Sequence, residues 1–209
     1  MKVTKFAHSC LYIETEQRAG IIDPGDLSFN SGSFKPDAIQ RLDDIMITHE
    51  HPDHMHIPFI KVLLKKFPQA QIITNPAAAT VLAAEGITAT TSNTPAVELF
   101  GASHETMVPL GQPPANTGIH YLQQLSHPGD CHHFSETMEI LALPITAPWG
   151  TLARAAELGV ELRPQSIIPI HDWHLNEQAR QGFYERLDKF FQEKGIRFIK
   201  PVDGQPFEV

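Results

Sequence analysis

The stretch THEHPDHMH, residues 48–56, places four histidines and two acidic residues within nine positions. It overlaps the end of the apolar segment DDIMITH, residues 43–49, which predicts a short strand. If His49 and His51 leave that strand in an extended conformation, their side chains lie on one face, two residues apart. Imidazole nitrogens and carboxylate oxygens are the ligands that suit zinc, manganese and iron. The pattern therefore predicts a metal site at the end of a strand.

The second half of the stretch offers further ligands. Asp53 and His54 come after the chain turns at Pro52, so they point toward a second position beside the first. The alternative interpretation is a solvent-exposed turn whose histidines bind nothing. The ligand spacing coincides with a strand-to-loop context, and together they favour metal binding.

The composition is typical of a globular protein. The chain has 209 residues, 42% of them hydrophobic and 19% charged, which predicts a single domain over 1–209. The net charge of -8 and the lack of a basic block argue against nucleic acid and membranes as partners, so we expect a small-molecule substrate. The first residues contain no apolar segment of signal-peptide length, and Cys10 and Cys131 are too few for a disulfide framework. We therefore expect reduced cysteines and a cytoplasmic location.

Short apolar runs alternate with helical patterns along the chain. Strand patterns cover residues 3–14, 19–23, 43–49, 70–75, 96–103, 105–110, 117–125, 138–145, 166–172 and 196–201. Helical patterns cover residues 57–67, 76–86, 149–159 and 176–194. Alternation of this kind favours an α/β layered fold over an all-β sandwich.

Three further motifs follow the histidine loop in order: GASHE with His104, SHPGD with Asp130, and IIPIHD with His171. Together with the H-x-H-x-D-H loop they resemble the metallo-β-lactamase superfamily of metal-dependent hydrolases, over nearly the whole chain. The pairing of PGD with a later PIH is similar to the branch that contains the ascorbate-phosphate lactonases. The resemblance implies an αββα four-layer sandwich with the metal site at the edge of the two sheets.

The resemblance also implies a ligand set for two divalent metal ions, with zinc favoured over manganese or iron. His49, His51 and His104 would hold the first ion, while Asp53, His54 and His171 would hold the second. Asp130 would bridge both ions, and Asp23 would support the ligand histidines from behind. Taken alone, His104 reads equally well as a core histidine, Asp130 as a turn residue and His171 as a strand cap. Their order along the chain favours the ligand roles.

The implied reaction is hydrolysis of an ester, lactone or phosphoester bond in a small molecule by a metal-bound hydroxide. Asp53 is the predicted catalytic residue, orienting the nucleophile or carrying its proton. Three alternatives stay open at this point: an iron-dependent oxidoreductase of the same superfamily, a nuclease, and a non-catalytic metal-binding module. The acidic charge balance weighs against the nuclease.

The other histidines carry weaker predictions. His8 and His120 lie in strand patterns and are expected to be structural, and His56 is expected in a loop. His174 lies near enough to His171 to contact a substrate or pass a proton. The histidines that flank Asp130 are expected in solvated loops: His127, His132 and His133.

Overall fold

The computed structural model describes residues 1–109 and 111–209. The strands are β1 (Lys2–Ala7), β2 (Cys10–Glu14), β3 (Ala19–Ile22), β4 (Asp44–Met46), β5 (Gln71–Ile73), β6 (Val97–Gly101), β7 (Thr117–Tyr121), β8 (Leu125–His127), β9 (Ile140–Pro144), β10 (Ser166–Ile170), β11 (Arg197–Phe198) and β12 (Pro206–Glu208). The helices are α1 (Asp26–Asn30), α2 (Ile57–Lys66), α3 (Pro76–Ala84), α4 (Leu152–Leu162) and α5 (Glu177–Gln192).

The strands form two mixed sheets. The first has the order β12-β1-β2-β3-β4-β5, and the second has the order β11-β10-β9-β8-β7-β6. Within the first sheet β3, β4 and β5 run parallel, and within the second β8, β9, β10 and β11 do so. Parallel strands bring their carboxyl ends to the same edge of a sheet, which is where loops collect functional side chains.

Period-two alternation divides the apolar residues among three cores. Ile22 and Met46 of the first sheet pack against Ile168 and Ile170 of the second, which forms the core between the sheets. The alternate position Ile45 faces α2 and α3 on the outside. A third core covers the outer face of the second sheet with residues of α4 and α5. The predicted four-layer αββα fold is confirmed.

The main helix predictions are confirmed, and capping side chains mark the start of α3, α4 and α5. Asn75 caps α3 and Asn176 caps α5, each by accepting hydrogen bonds from backbone N–H groups of the first turn. The predicted helix over 149–159 begins instead after Thr151, whose hydroxyl accepts from the Arg154 N–H, and continues to Leu162. No helix within the described residues is both long and apolar enough to cross a membrane.

Several strand predictions were wrong. The pattern over 3–14 is a hairpin, because His8 adopts a left-handed conformation (φ 54°) that ends β1. The pattern over 117–125 is similarly broken at Leu122 and Gln123, whose φ angles are both 54°. Of the strand predicted over 105–110, residues 105–109 are not extended into a sheet, and residue 110 lies outside the described residues. The pattern over 196–201 shortens to β11, while α1 and β12 were not predicted.

Candidate metal centre

The predicted ligands come together where both sheets present the carboxyl ends of their strands. The histidine loop follows β4 of the first sheet, and His104, Asp130 and His171 follow β6, β8 and β10 of the second. All seven predicted ligands fall into two neighbouring groups of potential metal ligands, within each of which the ligand atoms lie within 4.8 Å of one another. Their role as metal ligands stays a prediction.

The first group contains His49, His51, His104 and Asp130. His49 Nε2 lies 3.1 Å from His51 Nδ1, which is close to the separation of about 3.3 Å that two nitrogens have on one tetrahedral zinc ion. His49 is fully buried and His51 is partly exposed, so the group lies at the base of an opening to solvent. The three histidines therefore match the predicted first site.

The second group contains Asp53, His54 and His171, together with His8, which was not predicted to lie in the site. His8 Nε2 is 3.2 Å from Asp53 Oδ2, and the His8 ring lies 4.1 Å from that of His171, measured between centroids. The His8 carbonyl also accepts a hydrogen bond from the His171 N–H. The prediction that His8 lies within a strand was wrong, and its structural role stays a prediction. A strand of twelve residues would have been unusually long, which was the available signal for a turn at His8.

Asp130 contacts both groups. Its Oδ1 lies 3.1 Å from His54 Nε2, while its Oδ2 lies 3.1 Å from His171 Nε2 and 3.5 Å from His104 Nε2. The Trp149 indole N–H donates to the same Oδ2 at 3.1 Å, a contact that the sequence did not indicate. The neighbouring residue, Cys131, is also buried, but it belongs to neither group. This placement matches the predicted bridging role of Asp130.

Asp23 supports the histidine loop from behind. This fully buried carboxylate accepts hydrogen bonds from the Thr48 N–H at 2.8 Å and the Thr48 hydroxyl at 2.8 Å. It also lies 2.7 Å from His54 Nδ1, and the Thr48 hydroxyl lies 3.0 Å from His49 Nδ1. These contacts hold both rings with Nε2 directed into the site, which is the usual outer-shell arrangement around a metal centre.

Backbone carbonyls orient two more rings in the same way. His104 Nδ1 lies 2.7 Å from the Glu105 carbonyl oxygen, and His171 Nδ1 lies 3.0 Å from the Thr146 carbonyl oxygen. A carbonyl only accepts, so each Nδ1 carries a hydrogen, and each ring is held with Nε2 facing the site. A lone pair at Nε2 is the form of imidazole that binds a metal ion.

Two glycines allow the loops to approach closely enough to build this site. A Cβ on Gly25, in the segment DPGD, would lie 1.7 Å from the Asp53 carbonyl oxygen. Gly129, in the segment PGD, has a φ of 62°, and its Cβ would lie 2.8 Å from the Thr48 Cβ. A larger residue at Gly25 would push the histidine loop away from the segment that follows β3, and one at Gly129 would push it away from the second sheet.

The charges in the site suit a cation. Burial raises the pKa of Asp130, but His171 and His54 outweigh that effect and hold the pKa well below its usual range. Burial lowers the pKa of His49 well below its usual value and that of His51 to a smaller extent. Burial also lowers the pKa of His54 and of His171, but Asp130 outweighs that effect and raises the pKa of both rings overall. Without a metal ion these two imidazoles therefore hold protons beside the ionised carboxylate, and a bound cation would release those protons and take their place.

Several ligand atoms also lack hydrogen-bond partners within the described residues. They are buried atoms of the two groups: His8 Nδ1 and Nε2, His54 Nε2, His104 Nε2 and Asp130 Oδ1. Buried polar atoms are normally hydrogen-bonded, so unbonded atoms in both of the adjacent groups indicate partners other than protein. Nitrogen and carboxylate oxygen atoms in this arrangement fit divalent ions such as zinc.

The remaining histidines divide between structural and exposed positions. His127 and His132 are buried, with Nε2 at 2.9 Å from the Ser9 carbonyl oxygen and at 2.8 Å from that of Pro144, so the expectation of solvated loops was wrong for both. The expectation is confirmed for His133, whose side chain is 75% exposed. His120 is buried against Ser126, as expected of a structural residue. His174 lines a cavity beside the second group, where its role stays a prediction.

Known proteins are similar to this chain in sequence and in fold. A model of the beta-lactamase superfamily domain matches residues 2–171. Protein Rv0786c of Mycobacterium tuberculosis is 32% identical over 200 residues, which cover 90% of this chain and 91% of that protein. The metallo hydrolase Igni18 of Ignicoccus hospitalis has a TM-score of 0.69 at 19% identity, covering 100% of this chain and 98% of its own. An isothiocyanate hydrolase from Delia radicum gut bacteria has a TM-score of 0.63 at 16% identity, covering 100% of this chain and 99% of its own.

Similarity in sequence and similarity in structure support different conclusions for this chain. At 19% and 16% identity the solved hydrolases show a shared fold and no more. The superfamily model covers the histidine loop and reaches His171, so it spans all seven predicted ligands. The chain therefore belongs to the beta-lactamase superfamily and has the metallo-β-lactamase fold.

Proposed function

We propose that this chain is a metal-dependent hydrolase that cleaves an ester, lactone or phosphoester bond of a small molecule. The observation that carries the proposal is the contact of one carboxylate, Asp130, with histidines of two adjacent ligand groups. His49, His51 and His104 would hold one divalent ion, and Asp53, His54 and His171 the other. Zinc is the ion that this set of nitrogen and carboxylate ligands suits best.

The bound ions supply two things to hydrolysis: they lower the pKa of a water molecule and polarise the oxygen that gains charge in the reaction. The chain's own residues contribute position and charge. The Asp53 side chain is 33% exposed, and its Oδ2 lies 3.2 Å from His8 Nε2. Burial raises the pKa of Asp53, but His54 and His8 lower it below its usual range overall.

An ionised Asp53 accepts hydrogen bonds and holds a proton only weakly. The geometry therefore favours Asp53 as the residue that orients the attacking water, with His8 fixing the direction of the carboxylate. Asp130 has little freedom to serve in this way, because Trp149 and His171 both contact its Oδ2. Exclusion of bulk water comes from the depth of the site, in which His49 and His54 are fully buried.

The proposal is tested by metal removal and restoration. Purified protein is analysed for its metal content, stripped with a chelator, and assayed on a panel of lactones, carboxylic esters and phosphoesters before and after zinc is restored. We expect hydrolysis of at least one class, its loss on stripping and its return with zinc. Iron in the purified protein together with oxygen consumption and no hydrolysis would contradict the proposal and support the oxidoreductase alternative.

A further inference from the structure

A cavity of about 410 Å³ opens directly beside the second ligand group. His8, Asp53 and His171 form its inner end, so a molecule bound there reaches the reacting centre. Its volume falls within the range of typical small-molecule sites. A substrate group attached to the scissile bond can therefore occupy this space.

The outer wall of the cavity is apolar. Leu27, Pro52, Pro148 and Trp173 line it. Trp173 is 49% exposed, which is unusual for so large an apolar side chain, and a ligand in the cavity would remove part of that surface from water. The wall is also anchored, because the preceding residue, Asp172, is fully buried and paired with Lys5.

The charged residues of the cavity do not suit an anionic group. Asp26 and Asp53 line it, whereas none of its described lining residues is a lysine or an arginine. Asp26 belongs to neither ligand group, so its carboxylate is not taken up by a bound ion. A phosphate or carboxylate placed against the outer wall would meet Asp26 and no lysine or arginine of the described lining residues.

We propose that this cavity binds an uncharged aliphatic chain or aromatic ring, so that the substrate is a neutral ester or lactone rather than a phosphorylated one. The inference rests on the proposed hydrolase function and narrows its substrate class. Trp173 and Leu27 are the residues that would determine this specificity, since both present apolar surface to the bound group.

The test uses the zinc-loaded protein at about pH 8 and esters of one leaving group with acetyl, butanoyl and hexanoyl chains. Each methylene that moves from water into an apolar site raises the binding constant about 3-fold to 4-fold. We therefore expect kcat/KM to rise by up to that factor for each added methylene. A hexanoyl chain that ends in a carboxylate should lose this gain. No dependence on chain length, or a preference for the carboxylate, would overturn the inference.

Variants test whether the cavity wall causes the dependence of kcat/KM on chain length. Trp173→Ala should reduce the advantage of the hexanoyl over the acetyl ester several-fold. The matched control is Val202→Ala, which removes an apolar side chain that is 62% exposed and lies outside the cavity lining, and it should keep the full advantage. An equal advantage in Trp173→Ala and the wild type would overturn the assignment of the wall.

Binding separates this inference from the hydrolase proposal. Methyl ketones of matched chain length contain no bond to hydrolyse, and their affinity for the zinc-loaded protein is measured by calorimetry. Affinity that rises with chain length, in a protein that cleaves no ester, would support the cavity and refute the hydrolase. Affinity that is flat across the series would refute the cavity, whether or not esters are cleaved.

Discussion

Replacing Asp23 with asparagine removes one acceptor oxygen from behind the histidine loop. Oδ1 of Asp23 accepts from the Thr48 N–H, whereas Oδ2 contacts the Thr48 hydroxyl at 2.8 Å and His54 Nδ1 at 2.7 Å. An amide nitrogen in place of Oδ2 can accept from neither. We therefore expect Asp23→Asn to leave at least one buried donor unpaired and to release the orientation of His54.

The substitution should change both the affinity for metal and the free energy of unfolding. Loss of an outer-shell partner weakens metal binding about 10-fold to 100-fold, which is about 1.4–2.7 kcal/mol. An unpaired buried donor lowers the free energy of unfolding of the metal-free protein by about 1–3 kcal/mol. Zinc affinity is measured by competition with a chromophoric chelator, and the free energy of unfolding is measured by urea denaturation.

Asp44→Asn is the matched control. Asp44 is also fully buried and accepts from two groups of Arg18 and from the Tyr121 hydroxyl. It begins β4, four residues before Thr48, which places it about 13 Å along the strand from the site. Asp44→Asn should lower the free energy of unfolding without weakening zinc binding. Equal zinc affinities in Asp23→Asn and the wild type, or an equal loss of zinc affinity in both variants, would contradict the proposed role of Asp23.

Five further variants test the roles of Asp53, Asp130 and the Lys5–Asp172 pair. Asp53→Ala should abolish hydrolysis and leave the fold intact by circular dichroism, because Asp53 lies in a partly exposed loop; full turnover would exclude its catalytic role. Asp130→Ala should release most of the second ion, whereas Cys131→Ala should keep the wild-type metal content, since the Cys131 sulfur accepts from the His133 N–H away from both groups; the reverse ranking would mean that the ligand is misassigned. Lys5→Met leaves Asp172 buried without its cation and should cost about 3–5 kcal/mol in the free energy of unfolding, with partial recovery in Lys5→Met/Asp172→Asn; no recovery would count against the pair. Although burial raises the pKa of Asp172, Lys5 and Tyr184 lower it overall, so this stabilisation should be complete above about pH 4 and be lost as the pH falls further.

The layers could be predicted from short-range patterns, and the proximity of the seven candidate ligands could be predicted from their positions after strands together with the family resemblance. Successive apolar residues, such as Ile45, Met46 and Ile47, alternate between the core under α2 and α3 and the core between the sheets. The ligands follow strand ends, and strand ends meet at one edge in a parallel arrangement. Candidate ligands that follow strand ends therefore lie close together in the structure.

The missed features depend on contacts that the local sequence does not encode. His8 enters the second group because a left-handed turn, unmarked by glycine or asparagine, reverses the chain there. Trp149 reaches Asp130 from a loop nineteen residues away in sequence. His127 and His132 were expected to be solvated because they flank a polar turn, yet both are buried: His127 contacts Ser9 in the turn between β1 and β2, and His132 contacts Pro144 and Trp149.

We expect this edge of the two sheets to hold two divalent ions. The direct measurement is the metal content of the wild-type protein at saturation with zinc, by native mass spectrometry of the intact chain. The two ligand groups joined by Asp130 predict close to two zinc ions per chain. Saturation at one ion or at none would contradict the account.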